Sequence, residues 1–291
     1  CFLARRLGAK NTIARIRSPE YNDRSLAFVR RELELSMAIN PELLAAHELF
    51  NILKFPSAVK IEKFSGRGFE MIELRLKPDS VLDGMSLRSL REKYGTRVLI
   101  CCVQRGDSVY IPGGDFVLKS GDKIDITAPP ADMLKFFRSI GEFQKQARNV
   151  MLLGGSRTAY YLADMLTSGG ASVKIIERDE KTCSELCEAL PKAVIIHGDG
   201  AEQELLMEEG LKSLDAFIAL TGMDEENILI SIFAAAQKVP KVISKVNRDE
   251  LAAMAERLGL DCIVSPKKII SDVIVQYARA LKNSLGSNIE T

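Results

Sequence analysis

Between Asn149 and Leu285 six short apolar runs alternate with longer stretches of helical character, and this rhythm constrains the fold more than any other feature of the chain. The runs are Val150-Met151-Leu152-Leu153, Val173-Lys174-Ile175-Ile176, Ala193-Val194-Ile195-Ile196, Ala216-Phe217-Ile218-Ala219-Leu220, Val242-Ile243-Ser244-Lys245-Val246 and Cys262-Ile263-Val264. Strands that alternate with helices predict a doubly wound parallel sheet in an α/β domain. Near-continuous hydrophobicity fits strands covered on both faces by crossover helices. Gly169-Gly170 and Gly210 punctuate helix ends, and Pro266 opens a longer helix reaching about Leu285. Along that helix Ile269, Ile270, Val273, Ile274, Tyr277 and Leu281 recur at helical spacing, so one face must pack on its own sheet or on another subunit.

The segment 53–141 reads as a separate small α+β domain. Ile72, Leu74 and Leu76 alternate with Glu73 and Arg75, and turn signals at Arg105-Gly106-Asp107, Pro112-Gly113-Gly114-Asp115 and Ser120-Gly121-Asp122 separate short strands. Helices are expected over Ser86 to Tyr94 and Ala131 to Ile140, with Gly141 as a stop and 142–148 as a linker to the domain at 149–291. The first 52 residues resemble the end of that domain. Ile13-Ala14-Arg15-Ile16 matches Ile243-Ser244-Lys245-Val246, Glu20 falls on Glu250, Leu33-Glu34-Leu35 matches Leu258-Gly259-Leu260, and Pro41 falls on Pro266. Residues 1–52 are therefore expected to be the last third of a first Rossmann-like unit whose glycine loop lies upstream, with a further small domain beyond Thr291.

Composition narrows the function classes. Lys+Arg at 40 against Asp+Glu at 39 gives no global field for nucleic acid or an anionic membrane. The longest apolar run, Ile228 to Ala236 with Ser231 within it, falls short of the roughly 20 residues needed to cross a bilayer. No export leader is legible at Cys1-Phe2-Leu3-Ala4-Arg5-Arg6. Six scattered cysteines without CxxC spacing fit reduced cytosolic thiols; Cys183 and Cys187 share a helix face but have no further Cys or His nearby to complete a metal site.

The loop Gly154-Gly155-Ser156-Arg157-Thr158-Ala159 follows the first strand where a dinucleotide fold places GxGxxG. Gly154 meets the first position, Ser156 replaces the second glycine, and Ala159 is the tolerated third residue. The helix opened by this loop presents its amino end to a phosphate, and Arg157 is placed to pair with one. Glu177, 23 residues after Gly154, ends the second strand where an acidic side chain hydrogen-bonds a ribose diol, with Arg178 beside it. Strand three ends in His197-Gly198-Asp199-Gly200-Ala201 and strand four in Leu220-Thr221-Gly222-Met223, both at carboxyl ends where ligands bind in open sheets. Asp199 and Thr221 serve equally well as helix caps. The acid–base pair of a dehydrogenase is missing: position 164, four after Tyr160, is Asp, and position 165, four after Tyr161, is Met.

On these residues the chain resembles the Trk potassium-uptake regulatory protein (TrkA) family, whose members carry tandem regulator-of-potassium-conductance (RCK) domains. The stretches that carry the likeness begin at Val173, His197, Ala219, Lys245 and Val264, and it extends to Thr12–Tyr21 and the Lys-Ser-Gly-Asp turn at Lys119. The resemblance implies a non-enzymatic subunit, peripheral on the cytoplasmic face of the plasma membrane, which binds NAD (NADH or NAD+), or ATP or ADP, and gates a membrane potassium-translocating partner as a dimer or tetramer ring. It implies that Gly154, Gly155 and Arg157 face phosphates, that Glu177 faces the ribose, and that Ser156, Thr158, Arg178, Gly200, Ala201 and Gly222 also contact the cofactor. Asp199, Thr221 and Arg248 would form the rim. The family's Gly-Gly-Gly-Arg-x-Gly becomes Gly-Gly-Ser-Arg-Thr-Ala here, which implies a weak or empty site. The alternatives are a NAD(P)-dependent oxidoreductase and an RCK scaffold that holds no nucleotide.

Overall fold

A computed structural model describes residues 1–17, 28, 31–54, 58–63, 70–95, 97–141, 147–260 and 262–284. In chain order the N-terminal part contributes α1 (Phe2–Arg6), β1 (Ile13–Arg15), β2 (Met37–Ile39) and α2 (Pro41–Lys54). The small domain follows with β3 (Ala58–Lys63), β4 (Glu70–Arg75), α3 (Leu87–Tyr94), β5 (Leu99–Arg105), β6 (Ser108–Tyr110), β7 (Lys123–Ala128) and α4 (Pro130–Ser139). The large domain runs β8 (Asn149–Leu153), α5 (Arg157–Ser168), β9 (Ser172–Glu177), α6 (Glu180–Ala189), β10 (Val194–His197), α7 (Gln203–Glu208), β11 (Ala216–Ala219), α8 (Asp224–Ala236), β12 (Lys241–Lys245), α9 (Asp249–Arg257), β13 (Ile263–Val264) and α10 (Pro266–Ser284).

All six strands of the large domain are parallel, in the order β10-β9-β8-β11-β12-β13. Chain direction through the sheet therefore reverses between β8 and β11, the place where such folds open a crevice. The alternation of β8 shows why its run has no polar residue. Val150 and Leu152 enter one core with Leu162 and Leu166 of α5, whereas Met151 and Leu153 enter the opposite core with Leu206, Phe217 and Ile230. Helix α5 stops where Gly170 takes a φ of +82°, as the glycine pair predicts.

The small domain is a five-stranded antiparallel sheet, β3-β4-β7-β5-β6. Ile72, Leu74 and Leu76 are buried, and they pack with Leu90 of α3 and Phe136 of α4. Lys123 of β7 lies 3.7 Å from Glu256 of α9, joining the small domain to the large one. Residues 142–146 of the expected linker, and Glu20 of the proposed repeat, lie outside the described residues.

The N-terminal part repeats the geometry of β12 and β13. Ala14 pairs with Ala38 and Arg15 with Ile39, as Ser244 pairs with Ile263 and Lys245 with Val264. Ile16 N–H donates to Ile39 C=O at 2.9 Å, and Val246 N–H donates to Val264 C=O at 3.1 Å. Glu34 has φ +48° where the matching Gly259 has +93°. Pro41 and Pro266 each open the helix that follows. Helix α2 packs on α5, with Ala46, Leu49, Ile52 and Leu53 inside the core of the large domain. Helix α10 packs against α2, and Ile269 joins the core that α2 and α5 share.

Candidate functional site

The crevice at the switch point has a volume of about 310 Å³, and the ends of β8, β9, β10 and β11 line it. Its narrowest constraint is steric. Gly154 has φ +94°, and a Cβ there would stand 3.0 Å from the Cα and N of Thr221. The two loops thus touch backbone to backbone, which only glycine permits. Gly200 is packed equally tightly, since a Cβ would overlap Cδ1 of Leu153 at 1.8 Å.

Ser156 stands at the N-cap of α5 with φ −64° and ψ 163°, and its Oγ accepts the Ala159 N–H at 3.4 Å. The serine in place of the second glycine therefore has a physical reason: it satisfies a free donor of the first helical turn. Ala159 is fully buried against the sheet, which meets the close-packing demand of the third position.

Both oxygens of Glu177 are occupied by the protein itself. One accepts the Gly155 N–H and the other the Asp179 N–H at 2.9 Å. Each oxygen keeps a second lone pair that can accept from a ribose hydroxyl. Asp179 caps α6 through Thr182 N–H at 2.8 Å, and the hydrogen bonds from Thr182 hold its carboxyl below the usual carboxylate range. Asp199 likewise closes its own turn, accepting the Ala201 N–H at 2.9 Å.

The β11 side is organised by Asn227, which is fully buried. Its Oδ1 accepts Thr221 N–H at 2.9 Å and lies 2.9 Å from Thr221 Oγ1. Its Nδ2 donates to Thr221 C=O at 3.3 Å and to Lys245 C=O at 3.0 Å. Asp224, Glu225 and Glu226 fill the first turn of α8, where the helix dipole favours negative charge.

Of the residues singled out in the sequence, Gly154, Gly155, Ser156, Glu177 and Arg178 are brought together in the crevice, as are Asp199, Gly200, Thr221 and Gly222. Arg157, Thr158, Ala201 and Arg248 do not line it. Arg157 is exposed at the start of α5, and Thr158 is buried beneath it. The guanidinium of Arg248 is paired with Glu225 and lies 3.6 Å from Asp224, so it braces β12 against α8. Thr182, Met223 and Glu226 line the crevice without having been singled out as contacts. Glu226 was legible in the acidic start of α8 and Met223 in the stretch that ends strand four, whereas Thr182 left no signal.

The TrkA-N domain matches residues 150–266, and the TrkA-C domain matches residues 71–141. The Trk system potassium uptake protein trkA homolog 1 of Methanosarcina mazei is 31% identical over 281 residues, which cover 96% of this chain and 67% of that protein. The chain belongs to the TrkA family. The TrkA homolog of Archaeoglobus fulgidus is also 31% identical, over 99% of this chain and 65% of its own length. The TrkA of Haemophilus influenzae is 26% identical over 92% of this chain and 58% of its own length. The chain thus spans about three fifths to two thirds of these TrkA relatives. Among solved structures, the GsuK RCK domain superposes with a TM-score of 0.67 at 16% identity, covering 98% of this chain and 60% of that one. The GsuK channel bound to NAD gives 0.65 at 16% identity, covering 97% and 49%. These likenesses establish the RCK-type fold of this TrkA chain.

Proposed function

We propose that this TrkA chain is part of a non-enzymatic regulatory subunit that senses a nucleotide in the crevice between β8 and β11. The observation that carries the reading is the crevice of about 310 Å³ that Gly154, Gly155 and Ser156 line at the amino end of α5, where a helix favours a phosphate. The ligand is NAD(H), with ATP or ADP as alternatives; its phosphates lie at Gly155 and Ser156 with Arg157 at the mouth, and its ribose hydroxyls donate to the Glu177 carboxylate beside the Gly155 N–H. Arg178, Asp199, Gly200 and Thr221 form the rim. Arg248, Thr158 and Ala201 act behind it.

The subunit works in the cytoplasm on the inner face of the membrane, as a homo-oligomer bound to a potassium-translocating partner. The potassium uptake named for its relatives supports this reading, and among the described residues no helix is long and apolar enough to cross a membrane. The domains are 1–52, 53–141 and 149–291, a division supported by the shared register of β1-β2 and β12-β13. Calorimetric titration with NADH, NAD+, ATP and ADP tests the sensing role; heat with at least one is expected, and none with all four refutes it. The occupied carboxylate of Glu177 favours a second reading, a scaffold that holds no nucleotide. Replacing Arg157 with Ala separates the two, since a scaffold keeps its stability and assembly and has no ligand response to lose.

A further inference from the structure

Helix α9 stands between the crevice and the small domain, and both of its ends are held. At its start Asn247 N–H donates to Asp224 Oδ2 at 2.9 Å, Arg248 N–H donates to the same oxygen at 3.1 Å, and Asn247 Nδ2 donates to Oδ1 at 3.2 Å. Asp224 is buried and opens α8. The same turn of α8 carries Glu226, which lines the crevice, and Asn227 follows it to hold Thr221 at the crevice edge. Leu251 and Ala252 of α9 pack with Ile228 of α8, so the two helices share a core beside this anchor.

The far end of α9 reaches the small domain. Glu256 lies 3.7 Å from the ammonium of Lys123, the first residue of β7. The lysine side chain is only 13% exposed, and its ammonium stands 3.7 Å from Glu73 of β4 as well. The chain that leaves α9 is tied to the same domain, because the buried thiol of Cys262 donates to the C=O of Val59 on β3 at 3.3 Å. Asp224 and Lys123 thus hold opposite ends of a helix of nine residues, about 13 Å long at about 1.5 Å per residue. One end answers to the crevice rim and the other to the small domain.

The geometry points to α9 as a strut that passes occupancy of the crevice to the small domain, with the pair of Glu256 and Lys123 as its contact. This rests on the nucleotide reading above. A ligand settled beside Thr221 and Glu226 acts on the turn of α8 that holds α9 through Asp224, and a rigid helix carries the displacement to Glu256. Lys123 is shared between two carboxylates, Glu256 across the boundary and Glu73 within its own domain, so the seat of the small domain follows the strut. Such coupling is reciprocal: a small domain held on Glu256 favours the occupied crevice.

The test is calorimetric titration of the full chain with NADH and with ADP, in the unaltered protein and in Lys123→Met, Glu256→Gln, the double variant and Glu73→Gln, together with hydrogen exchange of the turn at 119–123 with and without NADH. An ion pair with one exposed partner is worth about two- to fivefold in an equilibrium constant, so Lys123→Met and Glu256→Gln are each expected to weaken binding by that factor. The double variant is expected to be no weaker than Lys123→Met, and Glu73→Gln to bind as the unaltered chain does. NADH is expected to slow exchange at the turn in the unaltered chain and in Glu73→Gln, but not in Glu256→Gln. Melting temperatures without ligand separate lost folding from lost coupling, and the near-isosteric, exposed Glu256→Gln carries the test should Lys123→Met fail to fold. Unchanged affinity in folded variants overturns the inference, as do losses that simply add, or a turn whose exchange ignores NADH while the unaltered chain binds it. Equal losses in Glu73→Gln and Glu256→Gln assign the lysine to packing within the small domain and overturn it too. Absence of heat with the unaltered chain refutes the nucleotide reading itself, and this inference with it.

Discussion

Replacing Asn227 with Ala is the sharpest test of how the crevice is built. The residue is fully buried and bonds Thr221 N–H at 2.9 Å, Thr221 C=O at 3.3 Å and Lys245 C=O at 3.0 Å. Truncation leaves these three backbone groups without that partner. A buried group left unsatisfied costs about 1–3 kcal/mol. All three are only partly shielded, so the lower half of that range, about 1–2 kcal/mol, applies to each, and the sum is about 3–6 kcal/mol before the small cavity is counted. Against a domain stability of about 5–15 kcal/mol this is a large fraction. Asn227→Asp sharpens the argument, because it keeps the two acceptor contacts, loses both donors and places a carboxyl close to Thr221, whose Oγ1 is 3.3 Å from Glu226. Burial and a like charge raise the pKa of such a carboxyl in the folded state. A raised carboxyl pKa favours the protonated native form, so stability is kept in acid and lost as pH rises above the unfolded value of about 4. Urea unfolding at pH 7 and at pH 4.5 reads both effects. A cost under about 1 kcal/mol for the alanine variant, or an aspartate variant equally stable relative to wild type at both pH values, would refute the reasoning.

Gly154→Ala is expected to cost about 2–4 kcal/mol, about 1–2 from the left-handed φ and the rest from backbone that cannot yield at 3.0 Å; a thermal melt within a degree of wild type would count against the backbone contact. Glu34→Gly is expected to stabilise by about 0.5–1 kcal/mol, since Glu34 holds φ +48° where the repeat has Gly259, and urea unfolding shows the gain or its absence. Arg105→Met is expected to cost about 2–3 kcal/mol at pH 7. Burial alone would raise the pKa of Asp122, but hydrogen bonds from Arg105 and the Lys119 N–H lower it, so the pair stabilises above about pH 4 and its contribution fades as pH falls through the depressed value. A gap between variant and wild type that does not shrink in acid contradicts this. Glu226→Gln removes one of three carboxylates that line the crevice, with Glu177 and Asp199, beside the guanidinium of Arg178. It should raise affinity for ATP more than for NADH, and equal changes by calorimetry would argue against phosphates passing that wall.

What the sequence discloses here depends on whether a residue's role is local. The strands of the large domain were legible because burial on two faces forces a run such as Val150 to Leu153 to be apolar throughout, and that requirement is written in adjacent residues. The repeat was legible in the aligned runs, whereas the left-handed backbone that Glu34 shares with Gly259 was not. Helix α2 was read as part of a separate first unit, but its apolar face belongs to the core under α5, and no local pattern names the partner of an amphipathic face.

The site divides along the same line. Gly154 and Gly155 were readable because a loop between strand and helix needs glycine for its own backbone, whereas Ser156 read as a defect until its hydroxyl was seen capping α5. Arg248 was read as rim on the family resemblance, yet charge pairing with Glu225 and Asp224 decides where its guanidinium goes. Asn227 did leave a trace: it is a polar residue opening the apolar run Asn227-Ile228-Leu229-Ile230 in a helix that begins with three acids. A polar side chain on the buried face of a helix must find partners across the packing interface, and in an open parallel sheet the nearest backbone groups left without strand partners are those at carboxyl ends. Such a residue therefore points to the crevice from behind, and it does so independently of any glycine motif.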